Sequence, residues 1–133
     1  MSMGKEIVDH LQSLGLGTYE ADLFLDELPD TPDVCAAVFE TGGSPPDGGF
    51  GVDGIQYENP TVKIWFRGIP NDSAGPHAQI RQAYLELPKI QAQALGGVLY
   101  LTVQALQPPF ILERDVRRRV VWAFNALAQK EPS

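Results

Sequence analysis

The chain has 133 residues, of which 44% are hydrophobic, and this size and composition fit one domain built around one core. Its formal net charge of -7 argues against sequence-independent binding to nucleic acid, and no apolar stretch approaches the length of a membrane span. Cys35 is the single cysteine, so neither an internal disulfide nor a cysteine-based zinc site can form.

The first third of the chain predicts one helix and two strands. Residues 3–14 carry apolar side chains at the spacing of one helix face. These side chains are Ile7, Val8, Leu11 and Leu14. Alternation over residues 18–25 predicts a half-buried strand, and two prolines with two aspartates predict a turn over residues 28–33. The apolar run 34–39 predicts a strand that is covered on both faces.

Residues 41–54 hold six glycines and two prolines. Burial cannot offset the ordering entropy of such a segment, so we predict a mobile loop. It is not a phosphate-binding loop, because no Gly-Lys-Ser/Thr follows and no helix opens after it. Phe50 either anchors a partner or folds back on its own domain, and the residues leave both interpretations open.

Residues 61–68 alternate and predict a strand with Val62, Ile64 and Phe66 on one face. Trp65 lies on the other face among polar neighbours. It either packs within the domain or lies at an interface, where tryptophan is enriched, and we favour packing.

The second half predicts a helix over residues 76–87, followed by a second short helical segment over residues 88–95. Two strands follow, over residues 98–106 and 117–127, with a turn near residues 113–116 between them. The apolar side of the first of these strands is formed by Leu99, Leu101, Val103 and Ala105. The last segment also has helix-favouring residues, but its alternation favours a strand. The resulting order is α-β-β-β-α-β-β.

The chain shows no grouping of residues that is typical of a catalytic or metal site. His10 and His77 have no cysteine or second histidine at ligand spacing, and no serine lies in the strained turn that a nucleophile requires. Four carboxylates lie close together without the spacing of a calcium loop, and we interpret them as a solvated acidic rim. They are Asp26, Glu27, Asp30 and Asp33. We predict no catalytic residue, no metal and no cofactor.

The arginines at 114, 117, 118 and 119 form the most distinctive cluster of the chain. On a strand, Arg117 and Arg119 would share one face, and Arg118 would lie on the other with Trp122. Arg119 either forms a bidentate pair with a carboxylate of a neighbouring element or subunit, or belongs to an ordinary charged hairpin tip. Arginines gathered at one end of an acidic chain indicate a piece of an assembly rather than an enzyme.

Several segments, in this order and spacing, resemble a family of phage minor capsid proteins that act as tail terminators in long-tailed bacteriophages. The segments are LFLDELPDTPDVCAAVFETGG (23–43), NPTVKIWFRG (59–68), the helix 76–87, LGG (95–97) and QPPFILERDVRRR (107–119). The likeness spans residues 5 to 128. Glu113 stands where the family usually has glycine, and Arg118 stands where a turn glycine is common.

The resemblance implies a single α+β domain over residues 1–133, with a mixed or antiparallel sheet, helices packed on one side, and a C-terminal tail over residues 129–133. It also implies a ring, usually of six subunits, that caps the tail tube and offers a surface to the head. The partners would be copies of the chain itself, the tail tube protein and head-tail connector proteins. DNA would pass through the ring without sequence-specific binding, and no membrane is involved.

The matching positions become candidates for the seam between subunits. They are Arg67, Arg114, Asp115 and Arg119. We expect Arg119→Glu to weaken assembly while the monomer stays folded. Contact with the tail tube would fall to the loop 41–54. The candidates there are Asp47, Phe50 and Asp53.

The resemblance implies localisation in the virion after assembly in the host cytoplasm. One alternative is another connector protein of the virion neck. A less favoured alternative is a small ligand-binding or hydrolytic domain that uses Trp65, Tyr84 and Trp122 around a pocket.

Overall fold

The computed structural model describes residues 2–48 and 56–132. Within these residues the elements follow one another as α1 (Met3–Ser13), β1 (Leu23–Leu25), β2 (Cys35–Gly48), β3 (Gln56–Pro70), α2 (Ala74–Glu86), a 3₁₀ turn (Leu87–Lys89), β4 (Gln91–Leu95), β5 (Val98–Ala105), β6 (Phe110–Arg114) and β7 (Arg119–Lys130). The predicted α+β class and the order α-β-β-β-α-β-β are confirmed. Two short strands, β4 and β6, are added to that order.

All the strands described belong to one mixed sheet. Its order is β1-β2-β3-β7-β5-β4, and β6 pairs with β7 beside this path. β1 runs parallel to β2, and the remaining pairs are antiparallel. β7 is central, because it pairs along one edge with β3 and along the other with β5 and β6 in turn.

Both helices pack on one face of this sheet, as predicted. Alternate residues of β2, β3 and β7 face the helices, and the helices present apolar side chains in return. This shared core includes Ile7, Val8, Leu11, Ala36, Val38, Val62, Ile64, Phe66, Ile80, Leu87 and Phe124. Trp122 ties α2 to the sheet, because its indole nitrogen donates to the Ser73 carbonyl at 3.0 Å. Among the described residues, no helix is long and apolar enough to cross a membrane.

One polar pair lies inside this core. Glu6 of α1 is 2% exposed and Tyr100 of β5 is fully buried. The Tyr100 hydroxyl donates to Glu6 Oε1 at 2.7 Å, while Oε2 has no hydrogen-bond partner among the described residues. Burial, followed by the hydrogen bond to Glu6, raises the pKa of Tyr100 well above its usual range. The phenol therefore stays protonated and can donate at any working pH.

Two of the predicted elements differ from the observed ones. The strand predicted over residues 18–25 is reduced to β1, because residues 18–22 form a turn in which Glu20 adopts a φ of 67°. The second helical segment predicted over residues 88–95 is wrong. Pro88 ends the helix, and residues 91–95 form β4, which pairs with β5.

The loop predicted over residues 41–54 is also wrong in its first part. Residues up to Gly48 continue β2 and pair with β3, with register shifts on either side of Ser44. Gly43 permits this bulge, because its φ is 83° and a Cβ there would collide with the Asn59 carbonyl oxygen. The remainder of the predicted loop, from residue 49 to residue 54, lies outside the described residues.

The side chains of β5 point differently from the prediction. A register shift between Tyr100 and Thr102 breaks the simple alternation of this strand. Tyr100 and Val103 are therefore the buried residues, whereas Leu99 and Leu101 are only half-buried. Alternation alone could not place a residue inserted into the ladder.

The C-terminal segment is a strand, as predicted, and not a helix. β7 begins two residues later than expected and continues to Lys130. The predicted tail over residues 129–133 therefore begins inside this strand. Lys130 is 3% exposed, and its Nζ lies 3.6 Å from Glu58 Oε1.

We expect Tyr100→Phe to lower the free energy of unfolding by about 1 to 3 kcal/mol, because the buried carboxyl of Glu6 loses its donor. Urea denaturation measures the change. Tyr84→Phe is the control, since Tyr84 is only half-buried and packs edge-on against Phe124 at 5.8 Å between ring centroids. Equal stability of the two variants would contradict a stabilising role for the hydroxyl bond.

Candidate subunit interface

A buried arginine holds the proline-rich turn 28–33 against the end of the sheet. Arg67 lies near the end of β3, on the face away from the helices, and is 3% exposed. Its Nε donates to the Asp33 carbonyl at 3.0 Å, and its Nη2 donates to the carbonyls of Pro29 at 2.6 Å and Pro32 at 2.8 Å. The two prolines of this turn have no N–H to donate, and the guanidinium supplies donors to three of the turn's carbonyls.

A second buried arginine ties the same turn to the β6–β7 hairpin. Arg119, at the start of β7, is also 3% exposed. Its guanidinium contacts Asp115 Oδ2 at 2.7 Å, Asp33 Oδ1 at 2.9 Å and Asp30 Oδ1 at 2.9 Å. It also donates to the Asp30 carbonyl at 2.6 Å. Arg117 adds an exposed contact to Asp30 at 3.0 Å.

The two ionised groups at the centre of this network support each other. Desolvation works against the charge on Asp115, but hydrogen bonds from the Arg119 main chain and side chain outweigh it and lower the pKa of this carboxyl. Desolvation likewise disfavours the charge on Arg119, but hydrogen bonds to Asp115, Asp30 and Asp33 leave its pKa above the ordinary value. Both groups are therefore charged in the folded protein.

The Asp115 carboxylate stabilises the hairpin turn. Its Oδ1 accepts from the main-chain nitrogens of Arg117 at 3.0 Å and Arg119 at 2.9 Å. Arg118 takes a φ of 64°, which explains why a glycine suits this position. The structure thus brings Arg67, Asp115 and Arg119 to one network, while Arg114 is exposed on β6 outside it.

Arg119 pairs with carboxylates of its own chain, which is one of the alternatives that the sequence left open, whereas the contacts of Arg67 with the turn 28–33 were not predicted. The available signal was the shortage of donors in the turn 28–33. The expectation that Arg119→Glu spares the monomer conflicts with this buried position. A role of these residues at a subunit seam stays a prediction, as does contact of Asp47, Phe50 and Asp53 with a tube. Phe50 and Asp53 lie outside the described residues.

β6 is an edge strand that presents apolar side chains to solvent. All five of its residues are exposed, and among the described residues it pairs with β7 alone. Its exposed apolar side chains, together with that of the following turn, are Phe110, Ile111, Leu112 and Val116. Val116 is exposed completely. An unpaired apolar edge invites association with another chain, so this edge is the strongest candidate for an interface.

The open face of the sheet adds an aromatic row next to this edge. Trp65 of β3 lies in register with Ala37, Ala123 and, one strand further, Phe110 of β6. Phe39 packs against Trp65 with ring centroids 4.4 Å apart. Ala37 and Ala123 are buried beneath the row, whereas Trp65 and Phe39 stay half-buried. Trp65 therefore packs within the domain, as predicted, but on the open face of the sheet and not in the main core.

The aromatic residues that a small ligand-binding domain would need do not surround one cavity. Trp65 lies on the open face, whereas Tyr84 and Trp122 lie on the helix side, where His77 stacks on Trp122 at 4.4 Å. No three of the described histidine, cysteine, aspartate and glutamate side chains are placed to hold a metal ion.

Comparison with known proteins gives a family and a shared fold. A family model described as bacteriophage tail terminator protein matches residues 10–132.

The chain belongs to the bacteriophage tail terminator family.

Solved structures also resemble this tail terminator, and five chains match it. One is a chain of the virion of a native gene transfer agent particle, which is 12% identical, with a TM-score of 0.60. The match covers 92% of this chain and 84% of that one, and at this identity it shows a shared fold alone. No curated protein matches this chain. Family membership makes this tail terminator a structural protein of the phage virion, associated with other virion proteins.

We expect Arg119→Met to lower the free energy of unfolding by about 3 kcal/mol, because the turn 28–33 and the hairpin lose their shared cation. Chemical denaturation of the purified chain measures this loss. Arg114→Met is the matched control, since Arg114 is exposed, and we expect a change within about 0.5 kcal/mol. If the two variants were equally stable, the network would contribute nothing to the fold.

Low pH should lower the free energy of unfolding partly through protonation of Asp115. Its folded pKa lies below that of the unfolded chain, so its contribution is complete above about pH 4 and is lost as pH falls through the folded value. Asp115→Asn should therefore be less stable at neutral pH and show a shallower decline in acid. Asp9→Asn, which removes a surface pair with Lys5, is the control. Parallel pH profiles for wild type and Asp115→Asn would refute this.

Proposed function

We propose that this chain forms a ring, of six copies as the family resemblance implies, that caps the completed tail tube and offers the surface on which the head is joined. The observation that carries the proposal is the family match over residues 10–132. A ring requires heterologous contacts, in which one surface of a subunit meets a different surface of the next. The chain must therefore carry at least two distinct association surfaces.

The unpaired edge at β6 supports one such surface. Exposed apolar side chains on an edge strand are a liability in an isolated monomer, and they are accounted for if another chain covers them. Arg114 is the one predicted seam residue that lies exposed on this edge. In our proposal Arg114 contacts the neighbouring subunit directly, while Arg67, Asp115 and Arg119 act at the seam by fixing the hairpin that presents it.

The charge of the chain suits a passage for DNA. Each subunit contributes a net charge of -7, so a ring of several copies is strongly acidic. An acidic surface repels phosphates, which would let DNA move through the ring without sticking to it. Contact between the β2–β3 connection and the tail tube, through Asp47, Phe50 or Asp53, is retained as a proposal.

Purified tail tubes of the cognate phage test this function. We expect the chain to decorate one end of each tube in electron micrographs and to stop further tube growth, so that lengths cease to increase when tube protein is added. Ile111→Asp should abolish decoration. Leu85→Asp is the control and should leave decoration unchanged, since Leu85 and Ile111 are both 52% exposed in the monomer but Leu85 lies away from β6. Undecorated tubes that continue to grow with the wild-type chain would contradict the proposal.

Labelling intact virions separates this function from that of another neck protein. A terminator should lie at the junction between tube and neck. A label found only above that junction would favour a head-side connector protein instead.

A further inference from the structure

We infer that the β6 edge of one copy docks against the acidic edge of the next copy, formed by residues 20–27 around β1. This inference rests on the proposed ring and specifies which two surfaces would close it. The occupant of the β6 edge is thus a second copy of the same chain, held in a heterologous contact.

The β6 edge combines apolar surface with positive charge. Ile111 and Leu112 are 52% and 39% exposed. Arg114 closes the strand, and Arg118 projects from the adjoining turn, both of them exposed. Glu113 of the same strand is also exposed, so the edge carries two exposed cations against one exposed carboxylate, on a chain whose net charge is -7. A surface of this kind fits an acidic partner surface with some apolar area.

The other end of the sheet order has the complementary character. β1 is the edge strand there, since β2 is the one described strand that pairs with it, and Leu23 also forms an isolated bridge with Tyr19 of the preceding turn. Three exposed carboxylates flank β1, those of Glu20, Asp26 and Glu27. Leu25 between them is half-buried and gives the edge an apolar centre. Two acidic edges, or two basic edges, repel each other because their charges have the same sign. An acidic edge and a basic edge attract each other, so pairing of unlike edges is favoured.

The topology places these two edges so that copies can follow one another. In the order β1-β2-β3-β7, with β6 beyond β7, the acidic edge and the basic edge lie at opposite ends. A contact between two copies leaves the acidic edge of one copy and the basic edge of the other free. Repetition therefore continues until the ring closes, whereas contact between two β6 edges would stop at a dimer.

Cross-linking of capped tubes tests the contact directly. We would prepare Leu112→Cys and Glu27→Cys chains and treat tubes capped by an equal mixture with a short bismaleimide. The expected result is a covalent dimer in the mixture and none with either variant alone. Native Cys35 is buried, and its burial raises the pKa of the thiol despite the nearby arginines, so we expect no product from the wild-type chain.

Charge reversal gives an independent readout of the same contact. Arg114→Glu with Arg118→Glu should weaken tube capping by about tenfold, because two cations then become anions facing an acidic surface. Adding Glu20→Arg and Glu27→Arg to the same chain should restore capping in part. Arg81→Glu with Lys89→Glu, two exposed cations away from β6, is the control with an equal change of charge and should cap normally. Asp26 is left unchanged because its Oδ1 accepts from the Glu40 main-chain nitrogen.

The outcomes separate this inference from the proposed function. Capped tubes on which Leu112→Cys links only to itself, or on which no mixed dimer forms, would overturn the inference and leave the ring standing. Failure of the four-residue reversal to recover any capping, with all variants folded by circular dichroism, would also count against it. If the wild-type chain itself fails to cap tubes, the proposed function and the inference fall together.

Discussion

The architecture depends on a shortage of hydrogen-bond donors in the turn 28–33, and on two arginines that supply them. The turn carries two prolines, which have no N–H, and it pairs with no strand of residues 2–48 and 56–132, so its carbonyls accept hydrogen bonds from elsewhere. Arg67 and Arg119, on the neighbouring strands β3 and β7, supply these donors from the open face of the sheet. Because Arg119 also binds Asp115, the turn, the end of the sheet and the β6–β7 hairpin form one unit. The hairpin is thereby held in a fixed position, and its outer edge stays free of this network.

The arginines at this end of the sheet thus divide into two groups with different physical roles. Buried guanidiniums with several carboxylate and carbonyl partners stabilise the fold, since removing either side would leave buried groups unpaired. Exposed guanidiniums beside Ile111 and Leu112 gain little within the monomer, because solvent screens them. They contribute to the free energy of binding only where a second surface excludes water from them. This division accounts for a cluster of four arginines at one hairpin of an acidic protein, and it is consistent with the proposed role in assembly.

The sequence predicted the elements that are long and strongly periodic. The helix faces, the buried side of β3 and the strand nature of β7 follow from spacing alone. The errors arose where a single residue altered a ladder: Gly43 admits a bulge that keeps β2 paired, and a register shift turns Tyr100 inward on β5. The sequence revealed the arginine cluster. It could not show which of these arginines are buried and which are exposed, because the partners of Arg119 at Asp30 and Asp33 lie 89 and 86 residues away in the chain. Long-range pairing of this kind is set by topology, which local patterns do not carry.

In this proposal the arginine network stabilises the fold, while the β6 edge serves assembly. Hydrogen–deuterium exchange of the chain, free and on capped tubes, tests it most directly, because exchange reports each backbone region separately. We expect slow exchange of the Arg119 amide, which is bonded to the Asp115 carboxylate within the network, in both states, and fast exchange of β6 that becomes slow on capped tubes. A β6 segment that exchanges equally fast in both states, with new protection confined to the Arg119 amide, would contradict this division.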